Sequence, residues 1–188
     1  MTSATTVVPL PPVRPPIATG AGLTHRGRVR ERNEDAILTD PSGMLWAVAD
    51  GMGGHGHGDV AADIVIDCLE TIADDESPAE ALLSRLTEAN RLVRERAALS
   101  GAEGMGSTVV AVMVVRAMAW VAWVGDARAY LVRGGRLRLL TRDHTLVQAL
   151  VDKGELRPEE AERHPESHIV TRAVGGAPEI EIDLLTQP

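Results

Sequence analysis

Residues 108–115 restrict the fold of this chain more than any other segment, because they form a β-branched run that is apolar on both faces. A strand of this kind lies in a sheet that is covered on both sides. A second apolar strand is predicted at residues 118–124. Gly134-Gly135 then predicts a hairpin turn between strands at 128–133 and 137–141. The second half of the chain is therefore expected to contain hairpin-linked, antiparallel strands.

Two helices are predicted between these strands and an earlier group of strands. Apolar residues follow the helical period over residues 59–72, with Asp59 as the expected N-cap. Ser77-Pro78 predicts the start of a second helix with a capping box, and Ser100-Gly101 its end. Further strands are predicted at 17–24, 36–39, 44–49 and 179–183, and a mixed helical stretch at 146–163. Consecutive helices between groups of strands predict an α+β fold with helices outside the sheets, not a βαβ winding.

The composition argues against several classes of function. The formal net charge of −8 disfavours nonspecific nucleic-acid binding. No apolar run is long enough to span a bilayer, and no signal peptide is recognisable, so no membrane association is expected. Cys68, the single cysteine, fits a core residue in a reducing, cytoplasmic setting. Five prolines among residues 1–18 predict a disordered tail at 1–19, followed by one domain at 20–188.

Acidic residues follow the predicted strands at positions where ligands bind in many folds. The apolar run at 44–49 ends on Asp50 and leads into the glycine-rich loop at 51–58. Glu34, within Asn33-Glu34-Asp35, precedes that strand, and Asp126 follows Gly125 after the strand at 118–124. A carboxylate at the end of a buried strand needs a partner such as a metal ion. These oxygen donors predict a site for hard divalent cations.

Two alternative interpretations of the glycine loop remain to be weighed. Residues 51–56 match G-x-G-x-x-G, a dinucleotide-binding pattern, but Asp50 would repel a pyrophosphate, and the crossover to a parallel strand is missing. His55 and His57 suggest a transition metal, although no third His or Cys ligand stands nearby.

Other candidate residues have ordinary alternatives. Arg28, Arg30 and Arg32 would share one face of an extended segment, and one of them is a candidate phosphate clamp, with Arg28 and Arg32 expected to be solvated. Asp126 is alternatively a turn residue that pairs with Arg128. Asp143-His144 is a candidate cap for the helix from Leu146, and Ser107 lacks the context of a nucleophile elbow.

The motifs taken together resemble a known family. They occupy residues 29–35, 48–55, 105–108, 124–130, 141–145 and 169–175, in that order. In this order they are similar to the metal-dependent serine/threonine phosphatases of type 2C, in their bacterial form. The resemblance covers about residues 20–188. It implies a central antiparallel β-sandwich flanked by helix pairs, a four-layer α-β-β-α fold, here without its C-terminal strands.

The resemblance also implies the chemistry. The family uses two Mg²⁺ or Mn²⁺ ions that bridge a water molecule and clamp the phosphoryl oxygens. Carried over to this chain, Asp50 bridges both metals, Gly51 offers its carbonyl and Glu34 serves the second metal. Arg30 holds the substrate phosphate, and Asp126 helps to bind a third, weaker metal. Some relatives have a histidine general acid directly after the Asp-Gly pair, where this chain has Met52.

The resemblance implies a phosphoprotein as substrate and a serine/threonine kinase as the opposing partner. The family also supplies metal-ligand aspartates from a Ser-Asp-Gly segment and a final Asp-Asn, and neither occurs before Pro188. A fragment, a truncated gene product and a pseudoenzyme are the three explanations. Fewer carboxylates predict weak metal binding and low or absent activity for the 188 residues as given. The alternative function is a non-catalytic module that binds phosphoproteins or a kinase.

Overall fold

The computed structural model describes residues 18–41, 43–53, 56–73 and 75–188. The predicted tail falls outside the described residues except for 18 and 19, and so does His55. The strands are β1 (Asp35–Thr39), β2 (Leu45–Met52), β3 (Gly106–Val115), β4 (Met118–Val124), β5 (Tyr130–Arg133), β6 (Arg136–Leu139) and β7 (Asp183–Gln187). The helices are α1 (Gly58–Glu70), α2 (Pro78–Ser100), α3 (Leu146–Asp152) and α4 (Pro158–Ala161). None of these helices has the length and apolar character needed to cross a bilayer.

Five strands form one antiparallel sheet in the order β1-β2-β3-β4-β7, and β5 pairs with β6 as a separate hairpin. The strand β3 lies at the centre of the larger sheet, as its two apolar faces predict. Val109 belongs to a core that the sheet shares with α1 and α2, whereas Val110 belongs to a second, smaller core on the opposite face. The antiparallel pairing of β2 and β3 contradicts the dinucleotide-binding interpretation.

The first core is the larger one and holds the α1–α2 pair against the sheet. Its fully buried side chains include Leu69 of α1 and Leu82, Leu86 and Val93 of α2. On the opposite face, Val110, Val121 and Trp123 pack with Ala129 and Leu140, which flank the hairpin strands. The order of layers is therefore helix pair, five-stranded sheet and hairpin, in agreement with the expected α+β class.

Three predicted strands differ from the observed ones by at least three residues at one end, whereas the bounds of the others agree within two residues. β2 continues through Asp50 and Gly51 to Met52 instead of ending at residue 49, because residues 50–52 pair with the start of β3. Residues 18–24 form no strand, since Gly20 lies against the Trp46 side chain and covers the sheet without joining a ladder. The last strand covers Asp183–Gln187 and not 179–183, because its register pairs Asp183 with Trp123, so that residues 179–181 lie beyond the end of β4 at Val124.

The predicted helix ends are also partly wrong. α1 begins at Gly58, one residue before the expected cap Asp59. Ser77 precedes α2 as predicted, but its side chain accepts no capping hydrogen bond, while Gly101 ends the helix in a left-handed conformation. The helical stretch at 146–163 is divided into α3 and α4. The cap of α3 is Thr145, whose hydroxyl accepts from the Gln148 N–H, and not Asp143-His144.

Candidate active site

One cavity of about 540 Å³ collects every residue that the sequence assigns to the site. Asp50 and Gly51 reach it from β2, and Asp126 from the turn after β4. Arg30 and Glu34 reach it from the segment before β1. The ends of three adjacent strands and the loop before the first of them therefore form one polar pocket.

A row of polar side chains crosses the sheet at the floor of this cavity. In the strand register, Asp50 lies between Asp35 of β1 and Thr108 of β3. All three residues line the cavity. Thr108 is 2% exposed, and its hydroxyl has no hydrogen-bond partner among the residues that the structure describes. An orphaned buried hydroxyl beside a carboxylate is an arrangement that a bound ion or water would complete.

The carboxyl group of Asp50 is strongly perturbed. Although solvent reaches it from the cavity, the surrounding protein desolvates it, and this burial is the largest cause that raises its pKa from 3.8 to about 6. The negative charges of Asp35 and Asp126 add to the increase, as does the hydrogen bond that protonated Asp50 donates to the Asp35 carboxylate, whereas Arg30 opposes it. Asp50 is thus a desolvated acid with two further negative charges nearby, and a cation would relieve both effects.

Glu34 and Gly51 meet at the start of α1. The Gly51 N–H donates to the Glu34 carbonyl at 3.0 Å, which fixes the loop before β1 to β2. A Cβ atom on Gly58 would lie 2.8 Å from the Gly51 carbonyl oxygen and 3.0 Å from the Glu34 carboxyl carbon. The absence of a side chain at Gly58 therefore leaves room for the carbonyl and the carboxylate to approach each other. The positive end of the α1 dipole lies at the same place.

Asp126 lies in a turn that is hydrogen-bonded to His144. The backbone N–H of Gly125 donates to His144 Nδ1 at 3.1 Å, and the backbone N–H of His144 donates to the Gly125 carbonyl at 2.9 Å. His144 is 7% exposed and stacks on Trp123 with ring centroids 6.2 Å apart. Since Nδ1 accepts a hydrogen bond, we assign the imidazole proton to Nε2, which lies 3.3 Å from Asp183 Oδ2.

The alternative roles of two sequence candidates do not hold. Arg128 forms its ion pair with Asp143, donating from Nε at 2.9 Å, so Asp126 is not its partner. Ser107 is buried, and its hydroxyl donates to the Asp50 and Thr108 carbonyls, a structural role.

The positions of the arginines before β1 differ in part from the prediction. Arg30 and Arg32 both line the cavity, together with Arg26, whereas Arg28 does not. Arg32 is exposed to solvent, as expected, but it also borders the cavity. The turn at residues 27–29 is the physical reason, since it folds the segment back and leaves Arg28 at its tip.

Asp35, Thr108 and His144 are the site-related residues that sequence reasoning missed. The place of Asp35 could have been predicted, because a hairpin that closes near the turn at residues 40–43 puts Asp35 opposite Asp50. Thr108 and His144 stand within the motifs at 105–108 and 141–145, but the sequence does not show what they contact, since this depends on pairing between distant strands and turns.

The donor set fits divalent cations in part. Carboxylates and a backbone carbonyl are the ligands that Mg²⁺ and Mn²⁺ prefer, and the charges of Asp35 and Asp126 contribute, after burial, to the raised pKa of Asp50. Within the described ranges, however, no three acidic, His or Cys side chains are close enough to bind one ion together. The residues best placed to hold such ions are Asp50 with its cross-strand neighbour Asp35, and Gly51 with the adjacent Glu34.

Comparison with known proteins identifies the class of molecule to which this fold and site belong. The sequence profile described as protein phosphatase 2C matches residues 21–173. The chain is 40% identical over 161 residues to the serine/threonine protein phosphatase PstP of Mycobacterium tuberculosis, covering 83% of the chain and 31% of PstP. It is 36% identical over 176 residues to the serine/threonine phosphatase stp of Listeria monocytogenes, covering 88% and 70%.

The fold is confirmed by a solved structure of the PstP catalytic domain in complex with two manganese ions. That structure matches with a TM-score of 0.77 and 36% identity, over 88% of this chain and 70% of the other. The chain therefore belongs to the protein phosphatase 2C family, as its motifs indicate. It spans about a third of the length of PstP.

Proposed function

We propose that this chain is the catalytic region of a Mg²⁺- or Mn²⁺-dependent serine/threonine protein phosphatase, which hydrolyses phosphoserine and phosphothreonine in proteins. One observation carries the proposal: Asp50, desolvated and crowded by Asp35 and Asp126, shares a cavity with Arg30. Concentrated carboxylates suit divalent cations, and an adjacent guanidinium suits a phosphate group. Membership of the family and the manganese complex of its relative support the same assignment.

The role that we propose for each residue is the one that the family resemblance implies, and its place in the cavity supports it. Asp50, at the centre of the cavity floor, is the ligand we propose for both cations. The Gly51 carbonyl and Glu34, both of which lie beside Gly58, would hold the second cation. Asp126 serves a third, weaker site, and Arg30 orients the phosphate of the substrate. When bound, the cations supply an acidified water as nucleophile and neutralise charge on the phosphoryl oxygens.

The same proposal implies partners and a location. The substrate is a phosphoprotein, and a serine/threonine protein kinase that transfers phosphate from ATP must supply it. The free thiol of Cys68 is buried and suits a reducing compartment, so the cytoplasm is the location that we propose.

A comparison of four variants tests the function. Mn²⁺-dependent hydrolysis of p-nitrophenyl phosphate and of a phosphothreonine peptide is measured for the wild type, Asp50→Asn and Arg30→Gln. Arg28→Gln, outside the cavity, and Asp63→Asn, on the exposed side of α1, are the matched controls. Mn²⁺ binding by calorimetry is measured in parallel, as a readout that does not need turnover.

The two candidate functions predict different results. For a phosphatase, turnover is lost in Asp50→Asn and reduced in Arg30→Gln, and both controls behave as the wild type. For the non-catalytic alternative, the phosphopeptide binds in an Arg30-dependent manner without turnover. Turnover that survives in Asp50→Asn would contradict the proposed site.

A further inference from the structure

The cavity has a cationic side that the proposed reaction does not fully use. Arg26, Arg30 and Arg32 line it, and in the described part of the chain none of the three forms an ion pair with a carboxylate. We call Arg26 and Arg32 the flanking arginines, since the phosphate is assigned to Arg30. His25 and His168 line the same cavity. This accumulation of basic groups contrasts with the net charge of −8 of the whole chain.

The backbone explains how two arginines come to stand beside Arg30. Gly27, with φ of 73°, opens a turn, and its N–H donates to His25 Nδ1 at 3.0 Å. The turn brings Arg26 against Arg30, whose carbonyl accepts from the Arg26 guanidinium at 3.4 Å. Val29, at the tip, is 92% exposed.

Arg32 lies on another side of the cavity. A Cβ atom on Gly56 would lie 2.9 Å from its guanidinium nitrogen NH1, so this side chain extends over the glycine loop before α1. The two flanking arginines thus approach the cavity from different directions. A peptide that places its phosphate at Arg30 would pass near one or both of them.

The charge balance leaves an excess of positive charge on the arginine side of the cavity. Four carboxylates line the cavity, those of Glu34, Asp35, Asp50 and Asp126. Two divalent cations would neutralise them, and one phosphate, with a charge of about −2 near neutral pH, would offset two of the three guanidinium groups, so a charge of about +1 remains. Exposed guanidinium groups that remain unpaired favour further anionic groups on the substrate.

We propose that Arg26 and Arg32 select phosphoproteins in which acidic side chains flank the phosphorylated residue. This inference rests on the proposed function, because it assumes that a phosphopeptide occupies the cavity. Both flanking arginines are specificity residues that bind the substrate beside the reacting group. A carboxylate and a second phosphate share the necessary chemistry, and the experiment separates them.

The test measures binding without turnover. Fluorescein-labelled peptides of one length carry a non-hydrolysable phosphonate in place of the phosphate ester, flanked by Glu, Ala, Lys or a second phosphonate. Fluorescence anisotropy gives their affinities for the full chain with Mn²⁺, for an Arg26→Gln/Arg32→Gln double variant and for Arg28→Gln. Arg28 is the matched control, since it belongs to the same segment but lies outside the cavity.

The Glu-flanked peptide is expected to bind the wild type about five to ten times more tightly than the Ala-flanked one at low salt, since exposed ion pairs are individually weak. The Lys-flanked peptide binds most weakly. The double variant reduces the preference to less than about twofold, and Arg28→Gln keeps it. If the peptide with a second phosphonate binds the wild type more tightly than the Glu-flanked peptide does, it should lose this advantage in the double variant. That result would identify multiply phosphorylated segments as the preferred form of the same substrate class.

Three results would overturn the inference: equal affinities for the Glu and Ala peptides, a preference that survives in the double variant, and an equal loss in Arg28→Gln. Tighter binding of a single-stranded oligonucleotide than of the Glu peptide would also do so. Failure of the proposed function is recognised separately, as a Glu preference that persists in a chain without any Asp50-dependent turnover.

Discussion

Asp35 and Asp50 lie directly opposite each other in the register of β1 and β2, so that Asp50, when protonated, donates a hydrogen bond to the Asp35 carboxylate. Two acids in this position cannot both ionise freely, because the second charge forms beside the first. The pair is thus unfavourable for the cation-free fold near neutral pH and favourable for binding a cation. Stability and metal binding are coupled at this one position.

The first prediction concerns the pH dependence of stability. The folded pKa of Asp50, about 6, exceeds the unfolded value of 3.8, so the folded state holds a proton between these pH values that the unfolded state releases. The wild type therefore loses stability as the pH rises through this window. Without metal, Asp50→Asn should match the wild type near pH 4 and be more stable above pH 6, as measured by urea unfolding.

The control for this prediction is Asp63→Asn, an exposed acid on α1, which should show no such divergence. Added Mn²⁺ should raise the midpoint of wild-type unfolding at pH 7 and leave Asp50→Asn unchanged, because a ligand of the folded state stabilises only a protein that binds it. A difference between Asp50→Asn and wild type that is constant from pH 4 to pH 8 would contradict the assignment.

The second prediction concerns Gly58→Ala. In a helix this change is normally stabilising, by about 1 kcal/mol. Here the new Cβ would press on the Gly51 carbonyl at 2.8 Å and on the Glu34 carboxyl carbon at 3.0 Å. We expect a net loss of about 1–3 kcal/mol in the free energy of unfolding, as for other overpacked positions, together with weaker Mn²⁺ binding by calorimetry.

Gly101→Ala provides the comparison. Gly101 ends α2 with φ of 64°, and a Cβ there would contact nothing within 4 Å. The substitution should cost about 1 kcal/mol of stability through backbone strain alone and should leave Mn²⁺ affinity unaltered. If both variants bind Mn²⁺ as the wild type does, the gap beside Gly58 has no part in the site.

Much of the fold was predictable because local patterns and tertiary structure agree. The apolar run of β3 predicted a strand covered on both faces, and its alternate residues indeed enter two different cores. β4 was predicted with the bounds that the structure shows. The errors occur where pairing between distant segments determines the bounds of a strand. β7 is an example, because its register against β4 sets where it begins, and not its own alternation of apolar and polar residues.

The members of the candidate site were predictable from motifs, but their environment was not. Asp50, Glu34 and Arg30 stand in recognisable contexts, and the structure brings them to one cavity. The sequence cannot show that Thr108 lies opposite Asp50, because 57 residues and two helices intervene. Nor can it show which arginine faces the cavity, since the turn at Gly27 reverses the alternation of an extended segment.

The third prediction concerns the orphaned hydroxyl of Thr108. Replacement by Val keeps the shape and removes a buried polar group without a partner, so the metal-free protein should become more stable by about 1 kcal/mol. Thr141→Val is the control, because the Thr141 hydroxyl accepts from the Ala129 N–H at 3.2 Å. That variant should lose about 1 kcal/mol in the same urea titration. Destabilisation by Thr108→Val would show that its hydroxyl has a partner in solution.

The fourth prediction tests His144 as the support of the Gly125–Asp126 turn. His144→Phe keeps an aromatic ring against Trp123 but removes the acceptor of the buried Gly125 N–H and the donor that faces Asp183. We expect a loss of about 2 kcal/mol in unfolding free energy, with partial recovery in His144→Asn, whose amide oxygen can accept. His164→Phe removes a similar bond to the Glu166 N–H at an exposed site, where water replaces it, and should cost less than about 0.5 kcal/mol. Equal losses in the two Phe variants would mean that burial does not distinguish His144.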